Sequence, residues 1–170
     1  LAVPLVLALP ACSTDDSGSG GTTASSPSGS VAVGGMHAQS GAAPTGSFAI
    51  EAGTPGTAFV LPSRNVGCHM SAEGARCDIA DRSWTPPSRP ASCPADHGDF
   101  GQGIMVTRTE VFLVCAGDSA LGGANERVLE YGHGLRVGAS LCLSSQAGVR
   151  CLNETSGHGF TLAREAYTTF

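Results

Sequence analysis

The fold is decided by two copies of one motif, CHMSAEGARC at residues 68–77 and CLSSQAGVRC at residues 142–151. Each copy has eight residues between its cysteines and ends in Gly-x-Arg-Cys. Short runs of residues on either side of a glycine-containing turn are typical of β-hairpins. The repeat therefore predicts two hairpins of the same construction within one domain.

The even spacing of the cysteines sets the register of each hairpin. The two cysteines of a copy can face each other across the strands, which leaves a four-residue loop with glycine last, Gly74 in the first copy and Gly148 in the second. Glycine suits that position because a positive φ is often needed there. We therefore predict that each hairpin is closed by its own disulfide, Cys68–Cys77 and Cys142–Cys151.

The remaining pair in this part of the chain, Cys93 and Cys115, follows by elimination. Each short bridge is expected to contribute about 2.5 to 3 kcal/mol and the longer one slightly more, by the loss of chain entropy in the unfolded state. Structural zinc sites favour cysteines two to four residues apart, and a gap of eight does not fit. We predict three disulfides, no metal site and no cofactor.

Other segments also predict strands. GIMVTRTEVFLVC at residues 103–115 has two β-favouring runs around a polar triplet, as in a further hairpin. Residues 82–94 contain four prolines, which predicts an extended connector. The last twelve residues leave open whether a strand turns into a short helix at Ala163. Together these patterns predict a mainly β fold, either a small disulfide-stapled sandwich or a partly open barrel built from hairpins.

The N-terminal region has the features of an export signal. LAVPLVLALPAC is an apolar run that ends in a small residue before Cys12, and Leu9-Pro10-Ala11-Cys12 resembles the lipobox of bacterial lipoproteins. In that motif cleavage before the cysteine leaves it as the lipidated N-terminus. We predict a lipoprotein signal at residues 1–12, whose start lies upstream of Leu1, and a lipid anchor on Cys12 that holds the protein on the outer side of the cell membrane.

Residues 13–57 consist mainly of Gly, Ser, Thr, Ala and Pro, a composition that cannot bury enough apolar surface to fold. We predict a disordered tether over this segment, the apolar patch Phe48-Ala49-Ile50 included, and a disulfide-rich β domain over residues 58–170. The chain has a net charge of −5 and no basic stretch with interleaved aromatic residues. This excludes nucleic acid as a partner, because binding to phosphate backbones requires a basic surface.

Few residues are candidates for chemistry. His133 and His158 each stand between two glycines, where an exposed imidazole serves as a proton donor or a metal ligand and a turn is the simpler interpretation. Trp84, on the proline-rich connector, either anchors a partner or plugs the core. Asp78 and Asp81 are interpreted as solvated partners of nearby arginines. No complete catalytic constellation is present, so we predict no catalytic residues.

Several motifs occur in a characteristic order: PSRNVGC at 62–68, RCDI at 76–79, WTPP at 84–87, CAGD at 115–118, Tyr131-Gly132 and GHGF at 157–160. This order resembles a family of actinobacterial secreted proteins and lipoproteins with a disulfide-rich domain of unknown function. The resemblance implies export and a disulfide scaffold, but no activity, ligand or catalytic residue. Members of that family often have glycine where Arg64 stands here.

Three functions remain open at this point. The first is an envelope-anchored, non-enzymatic module that binds a cell-wall component or another exported protein. The second is a small exported hydrolase or metal-dependent enzyme that uses His133 and His158. The third is an inhibitor of exported proteases, with the segment from Trp84 to Cys93 as its reactive loop.

Overall fold

The computed structural model of the protein describes residues 46–170; the signal segment, Cys12 and residues 13–45 of the predicted tether lie outside the described residues. The described part consists of eleven strands and one short 3-10 turn at Ala95–His97. The strands are β1 Ala49–Ala52, β2 Thr57–Val60, β3 Val66–Met70, β4 Gly74–Ile79, β5 Asp99–Thr107, β6 Val111–Ala116, β7 His133–Val137, β8 Ser140–Ser145, β9 Gly148–Asn153, β10 Gly159–Leu162 and β11 Tyr167–Thr169.

The strands form two sheets that pack face to face. The five-stranded sheet has the order β2-β3-β4-β5-β6, and the six-stranded sheet has the order β1-β7-β8-β9-β10-β11. From β2 to β6 and from β7 to β11, each strand pairs antiparallel with the next one in the sequence. The predicted mainly β fold is confirmed, and of the two predicted architectures the chain adopts the sandwich: it consists of two meanders, and neither sheet closes into a barrel.

The predicted hairpins and disulfides are confirmed. Cys68 lies directly opposite Cys77 and Cys142 directly opposite Cys151, with Cα–Cα distances of 4.0 and 4.1 Å. Such short separations are typical of antiparallel pairs without hydrogen bonds between them, where side chains come closest. The third bridge joins Cys93 on the connector to Cys115 on β6.

The two hairpin disulfides meet at the centre of the core. The hairpin β3–β4 belongs to one sheet and β8–β9 to the other, and Cys77 Sγ lies 3.5 Å from Cys151 Sγ between the sheets. All four hairpin cysteines are fully buried. Around them pack the large apolar side chains of both sheets, among them Phe59, Met70, Ile79, Ile104, Leu135, Phe160 and Leu162. The repeated motif therefore supplies both the hairpins and the contact between the sheets.

Both loop glycines lie close to the backbone of a neighbouring strand, and they differ in backbone conformation. Gly148 has φ 111°, the positive value expected at that position. Gly74 does not have a positive φ; a Cβ at that residue would lie 1.9 Å from the carbonyl oxygen of Val106 on β5. In the first copy glycine is required because the neighbouring strand approaches closely, not because of the turn.

The predicted domain boundary at residue 58 is wrong. Residues 49–52 form β1, which pairs in parallel with β7 from Ala49 opposite His133 to Ala52 opposite Arg136. The carboxylate of Glu51 on β1 binds Arg127 and lies 3.4 Å from His133 Nδ1. The apolar patch assigned to the tether is therefore part of the sandwich, because the edge of β7 offers it backbone hydrogen bonds.

The two ends of the connector are fixed in different ways, and the C-terminus adds a strand. Residues 82–94 contain no helix or strand, as predicted. The connector is held by Trp84 at one end and by the Cys93 bridge at the other. The short C-terminal helix considered at Ala163 is not present: the chain turns there and returns as β11, antiparallel to β10. That strand completes the backbone hydrogen bonding of β10, which a helix would leave open.

Acid is expected to loosen β1 before the rest of its sheet. Hydrogen bonding to Arg127, the charge of Arg127 and a contact with His133 hold the pKa of Glu51 below its ordinary value of 4.5. A carboxyl group whose pKa folding lowers stabilises the fold above its unfolded pKa, and this contribution is lost as the pH falls through the lowered value. Amide protection of Ala49, which donates to Gly132, should therefore fall below about pH 4.5.

The matched variant for this prediction is Glu51→Gln, which cannot titrate. Its protection at Ala49 should be lower than that of the natural chain at neutral pH and should not fall further through the same acid range. Equal pH dependence in both chains, measured by hydrogen exchange, would show that Glu51 does not hold β1.

Candidate functional site

Turns from both sheets enclose an open cleft of about 400 Å³ at one end of the sandwich. We call it the end cleft. One wall is the turn between β2 and β3, and the other consists of the β8–β9 turn at residues 145–148 and the β10–β11 turn at residues 163–165. Asp81 and Tyr131 also line it. Turns at the end of a rigid sandwich are common places for binding sites, because they vary without disturbing the sheets.

The turn between β2 and β3 is fixed by its own hydrogen bonds. The N–H of Leu61 donates to the carbonyl of Val66 at 2.9 Å, and the N–H of Arg64 donates to the carbonyl of Leu61 at 2.8 Å. The side chain of Asn65 donates to the carbonyl of Asp81 at 2.9 Å and accepts from its N–H at 2.8 Å. This wall of the cleft is therefore tied to the end of β4.

Arg64 occupies an unusual backbone conformation in this turn. It is the only non-glycine residue in the described range 46–170 with a positive φ, 56°. The left-handed region costs an L-residue roughly 1 to 2 kcal/mol, and glycine avoids most of this cost. Because the turn itself favours glycine, an arginine here indicates a role for its side chain.

The opposite wall is braced by the connector. The N–H and the hydroxyl of Ser83 both donate to the carbonyl of Arg164, at 2.8 and 3.1 Å. The N–H of Ala163 donates to the carbonyl of Ala166 at 2.9 Å, which closes the β10–β11 turn. Both walls are therefore formed before any ligand arrives.

The end cleft carries balanced charges that the fold does not use. Arg64, Asp81, Arg164 and Glu165 are exposed, and none of the four forms an ion pair with another residue of the described part. Two positive and two negative groups give the lining no net charge. The ring of Tyr131 packs on the core at the same place. The cleft therefore offers donors, acceptors and one aromatic ring for a ligand.

A second polar cluster, on the outer face of the five-stranded sheet, supports the fold. Asp78 is fully buried and accepts hydrogen bonds from Arg76 Nε at 2.9 Å, from Arg76 Nη2 at 2.8 Å and from the Ala120 N–H at 2.8 Å. Arg76 also binds the carboxylate of Asp118 at 2.7 Å and its carbonyl at 2.9 Å. The interpretation of Asp78 as a solvated carboxylate is therefore wrong, because residues 118–121 cover it.

The titration of this cluster agrees with a structural role. Burial alone would lower the pKa of Arg76, but its hydrogen bonds to Asp78 and Asp118 outweigh burial and raise that pKa above its ordinary value. The hydrogen bond from Arg76 and its charge hold the pKa of Asp118 below the ordinary range. Both groups thus stay charged and paired, and neither is held ready to transfer a proton.

The glycines beside Asp78 make room for the covering loop on one side and for the Asp78 carboxylate on the other. Gly67 and Gly103 flank Asp78 on the neighbouring strands. A Cβ on Gly67 would lie 2.3 Å from the Ala120 carbonyl oxygen, and one on Gly103 would lie 2.0 Å from Asp78 Oδ1. The NVGC, RCDI and CAGD motifs of the sequence therefore meet in one structural cluster.

Trp84 is half-buried and committed to internal contacts. Its indole N–H donates to the carbonyl of Ala163 at 2.9 Å, its ring lies 4.6 Å from that of Tyr167, and the guanidinium of Arg82 lies 4.8 Å from its ring centre. It packs against the core cluster. Through these contacts Trp84 covers the core and fixes the connector beside the end cleft.

The two glycine-flanked histidines lie far apart in the sheet. His133 begins β7, whereas the carbonyl of His158 accepts a hydrogen bond from Asn153 at the end of β9. Asn153 is opposite Ser140, and Ser140 is opposite Val137, at the other end of β7. The structure does not bring His133 and His158 into one site.

The described residues contain one cluster of side chains with potential metal-ligating atoms. The one group of potential ligand atoms in residues 46–170 consists of Cys68, Cys77 and Cys151, whose sulfur atoms are engaged in disulfides. No helix in this part of the chain has the length and apolar character needed to cross a membrane.

Comparison of the chain with models of known families, with curated protein sequences and with solved structures gave no match. The end cleft thus has to be interpreted from its own chemistry. Sequence reasoning did not identify Arg164, Asp81 or Tyr131 as partners in a site. The one signal that could have pointed there is Arg64, an arginine in a turn whose positive φ favours glycine.

Proposed function

We propose that the protein is an exported, non-enzymatic binding module, anchored through a lipid on Cys12, and that the end cleft is its binding site. The observation that carries the proposal is the lining of this cleft by four charged side chains that the fold does not use. The strained backbone of Arg64 supports it, because the turn gains nothing from an arginine. The expected partner is a cell-wall component or another exported protein.

The three disulfides fit an exported protein, since such bridges persist in oxidising compartments. A rigid, disulfide-closed sandwich with braced turns loses little conformational entropy on binding, which favours affinity from a small site. The separation of His133 and His158 removes the histidine pair on which the hydrolase hypothesis depended.

The inhibitor hypothesis has weaker support. Residues 87–92 of the connector are exposed and lie between two fixed points, as in a reactive loop. However, the guanidinium of Arg89 donates to the carbonyl of Gly98 at 2.8 Å and to that of Pro94 at 3.3 Å. The one charged side chain of that loop is therefore turned back onto the protein, and not presented to a protease.

Substitution in the cleft is expected to weaken binding to the cell wall. In a pelleting assay with purified, insoluble cell-wall sacculi, the full chain should co-sediment, and Arg164→Ala should lower the apparent affinity for sacculi about tenfold, as expected for a lost hydrogen bond to a charged group. Arg108→Ala is the matched control, because Arg108 is exposed on the β5–β6 turn and does not line the cleft. Equal sedimentation of all three chains would show that the cleft is not the binding site.

The proposed lipid anchor on Cys12 leads to a separate prediction. Cys12→Ser, expressed in a cell that processes lipoproteins, should move the protein from the membrane fraction to the medium, because a chain without its acyl groups has no comparable affinity for the bilayer. Fractionation and immunoblotting measure the outcome. If the Cys12→Ser variant stays with the membrane, the lipid anchor is refuted, while the binding role of the cleft is left to its own test.

A further inference from the structure

We infer that the ligand of the end cleft is a short segment of a neutral, polyhydroxylated glycan. This inference rests on the proposed function, since it assumes that the cleft is a binding site. It goes beyond that function by naming the chemical class of the ligand.

The first argument is the charge pattern of the lining. Arg64 and Arg164 would attract an anion, but Asp81 and Glu165 line the same cleft and would repel it. The two carboxylates would attract a cation, but the two guanidinium groups would repel it. A neutral ligand with many hydroxyl groups has neither problem, because each hydroxyl can donate to a carboxylate and accept from a guanidinium.

The second argument is the variety of polar groups beside the charges. Ser63, Asn65, Ser145 and Gln146 also line the cleft. Asn65 is already held by two hydrogen bonds to Asp81, and the Ser145 hydroxyl donates to the carbonyl of Gly148 at 3.0 Å. Hydroxyl and amide groups at fixed positions suit the dense, directional hydrogen bonding of a sugar ring.

The third argument concerns Tyr131 and the size of the cleft. The ring of Tyr131 is half-exposed and rests on the core, so it offers a fixed apolar surface on which the C–H face of a sugar can pack. A cavity of about 400 Å³ is near the lower end of the range for small-molecule sites. It therefore holds a few sugar units of a chain that continues into solvent through the open side.

The test is a glycan array that carries neutral, uronic-acid and amino-sugar oligosaccharides, probed with the full chain. The chain should bind neutral oligosaccharides in preference to both charged classes. Raising the salt from about 0.05 to about 0.5 M should change this binding less than about twofold, since screening acts on interactions between charged groups. A preference for uronic-acid or amino-sugar oligosaccharides, with strong salt dependence, would overturn the inference.

Variants connect the binding to the cleft. Arg164→Ala and Asp81→Asn should each weaken binding to the neutral oligosaccharide about tenfold or more, because each removes a hydrogen bond that involves a charged group. Arg64→Gly should weaken binding while it keeps or raises thermal stability, which separates recognition from folding. Arg108→Ala should bind like the natural chain. Undiminished binding by the cleft variants would place the glycan elsewhere and overturn the inference.

The outcomes distinguish this inference from the proposed function. Sedimentation with sacculi that depends on the cleft, without binding to any oligosaccharide on the array, refutes the glycan and leaves the binding module standing. Release of new reducing ends from a bound neutral oligosaccharide supports the glycan and refutes the non-enzymatic role, with Asp81 and Glu165 as the carboxylates to examine. Absence of both sedimentation and array binding refutes the glycan and any other cell-wall ligand of the cleft.

Discussion

Replacement of all four hairpin cysteines by alanine is expected to leave the chain unfolded at 25 °C. The bridges Cys68–Cys77 and Cys142–Cys151 each close a short loop, and removing one should cost about 2.5 to 3 kcal/mol. Together they account for about 5 to 6 kcal/mol, which is comparable to the whole free energy of unfolding of a small domain. Far-UV circular dichroism and urea titration of the full chain measure the loss.

Single-bridge variants separate chain entropy from packing. By loop length alone, Cys93→Ala/Cys115→Ala should cost slightly more than either hairpin pair, because its bridge spans 22 positions against 9. The hairpin sulfurs, however, fill the centre of the core, whereas the third bridge lies outside the core cluster and joins the buried Cys93 to the half-buried Cys115 on an edge strand. We expect each hairpin pair to cost at least as much as the third bridge, because the vacated core volume adds to the entropy term. A four-alanine chain that unfolds within about 1 kcal/mol of the natural one would refute this role.

The hairpins were predictable because their register depends on residues that are close together in the sequence. An even number of residues separates Cys68 from Cys77, which allows the two cysteines to face each other across a hairpin by strand geometry alone. The second copy at residues 142–151 supports the same prediction independently. The hairpin at residues 103–115 was predictable for the same reason, since its turn and both strands are contiguous. Local patterns thus fixed three hairpins and, by elimination, the third bridge.

Pairings between distant segments were not predictable in this way. β1 pairs with β7, about 80 residues away, and its short apolar patch lies among glycines and prolines that favour disorder by composition. The burial of Asp78 depends on residues 118–121, which fold over the outer face of β4 from another part of the chain. A strand pattern gives the face on which a side chain lies, but not what later covers that face.

The end cleft could not be predicted from the sequence for a related reason. Its walls come from turns that are separated by some 80 to 100 residues of sequence, and no single turn has a recognisable ligand motif. Arg64 gave a signal through its unexpected side chain at a position that suits glycine. Its meaning required the backbone φ and the neighbouring turns, which only the assembled sandwich provides.

Asp78→Ala is expected to cause the largest loss of stability for one substitution, about 3 to 5 kcal/mol. It removes both hydrogen bonds of Asp78 to Arg76 and leaves the Ala120 N–H without its partner. Arg76, whose side chain is only 17% exposed, keeps its charge with Asp118 alone to balance it. The cost should appear as a lower urea midpoint with an unchanged slope, because the folded state stays compact.

Two controls test whether the buried pair is the cause. Asp118→Ala should cost about 1 kcal/mol or less, because that side chain is 80% exposed and its ion pair is screened by solvent. Arg76→Met/Asp78→Leu should recover much of the loss, since replacing both members of a buried ion pair with apolar groups of similar volume is often neutral or stabilising. If Asp78→Ala costs no more than Asp118→Ala, the loop at residues 118–121 is held by other contacts, and the convergence of the three motifs on Asp78 does not explain their presence in the sequence.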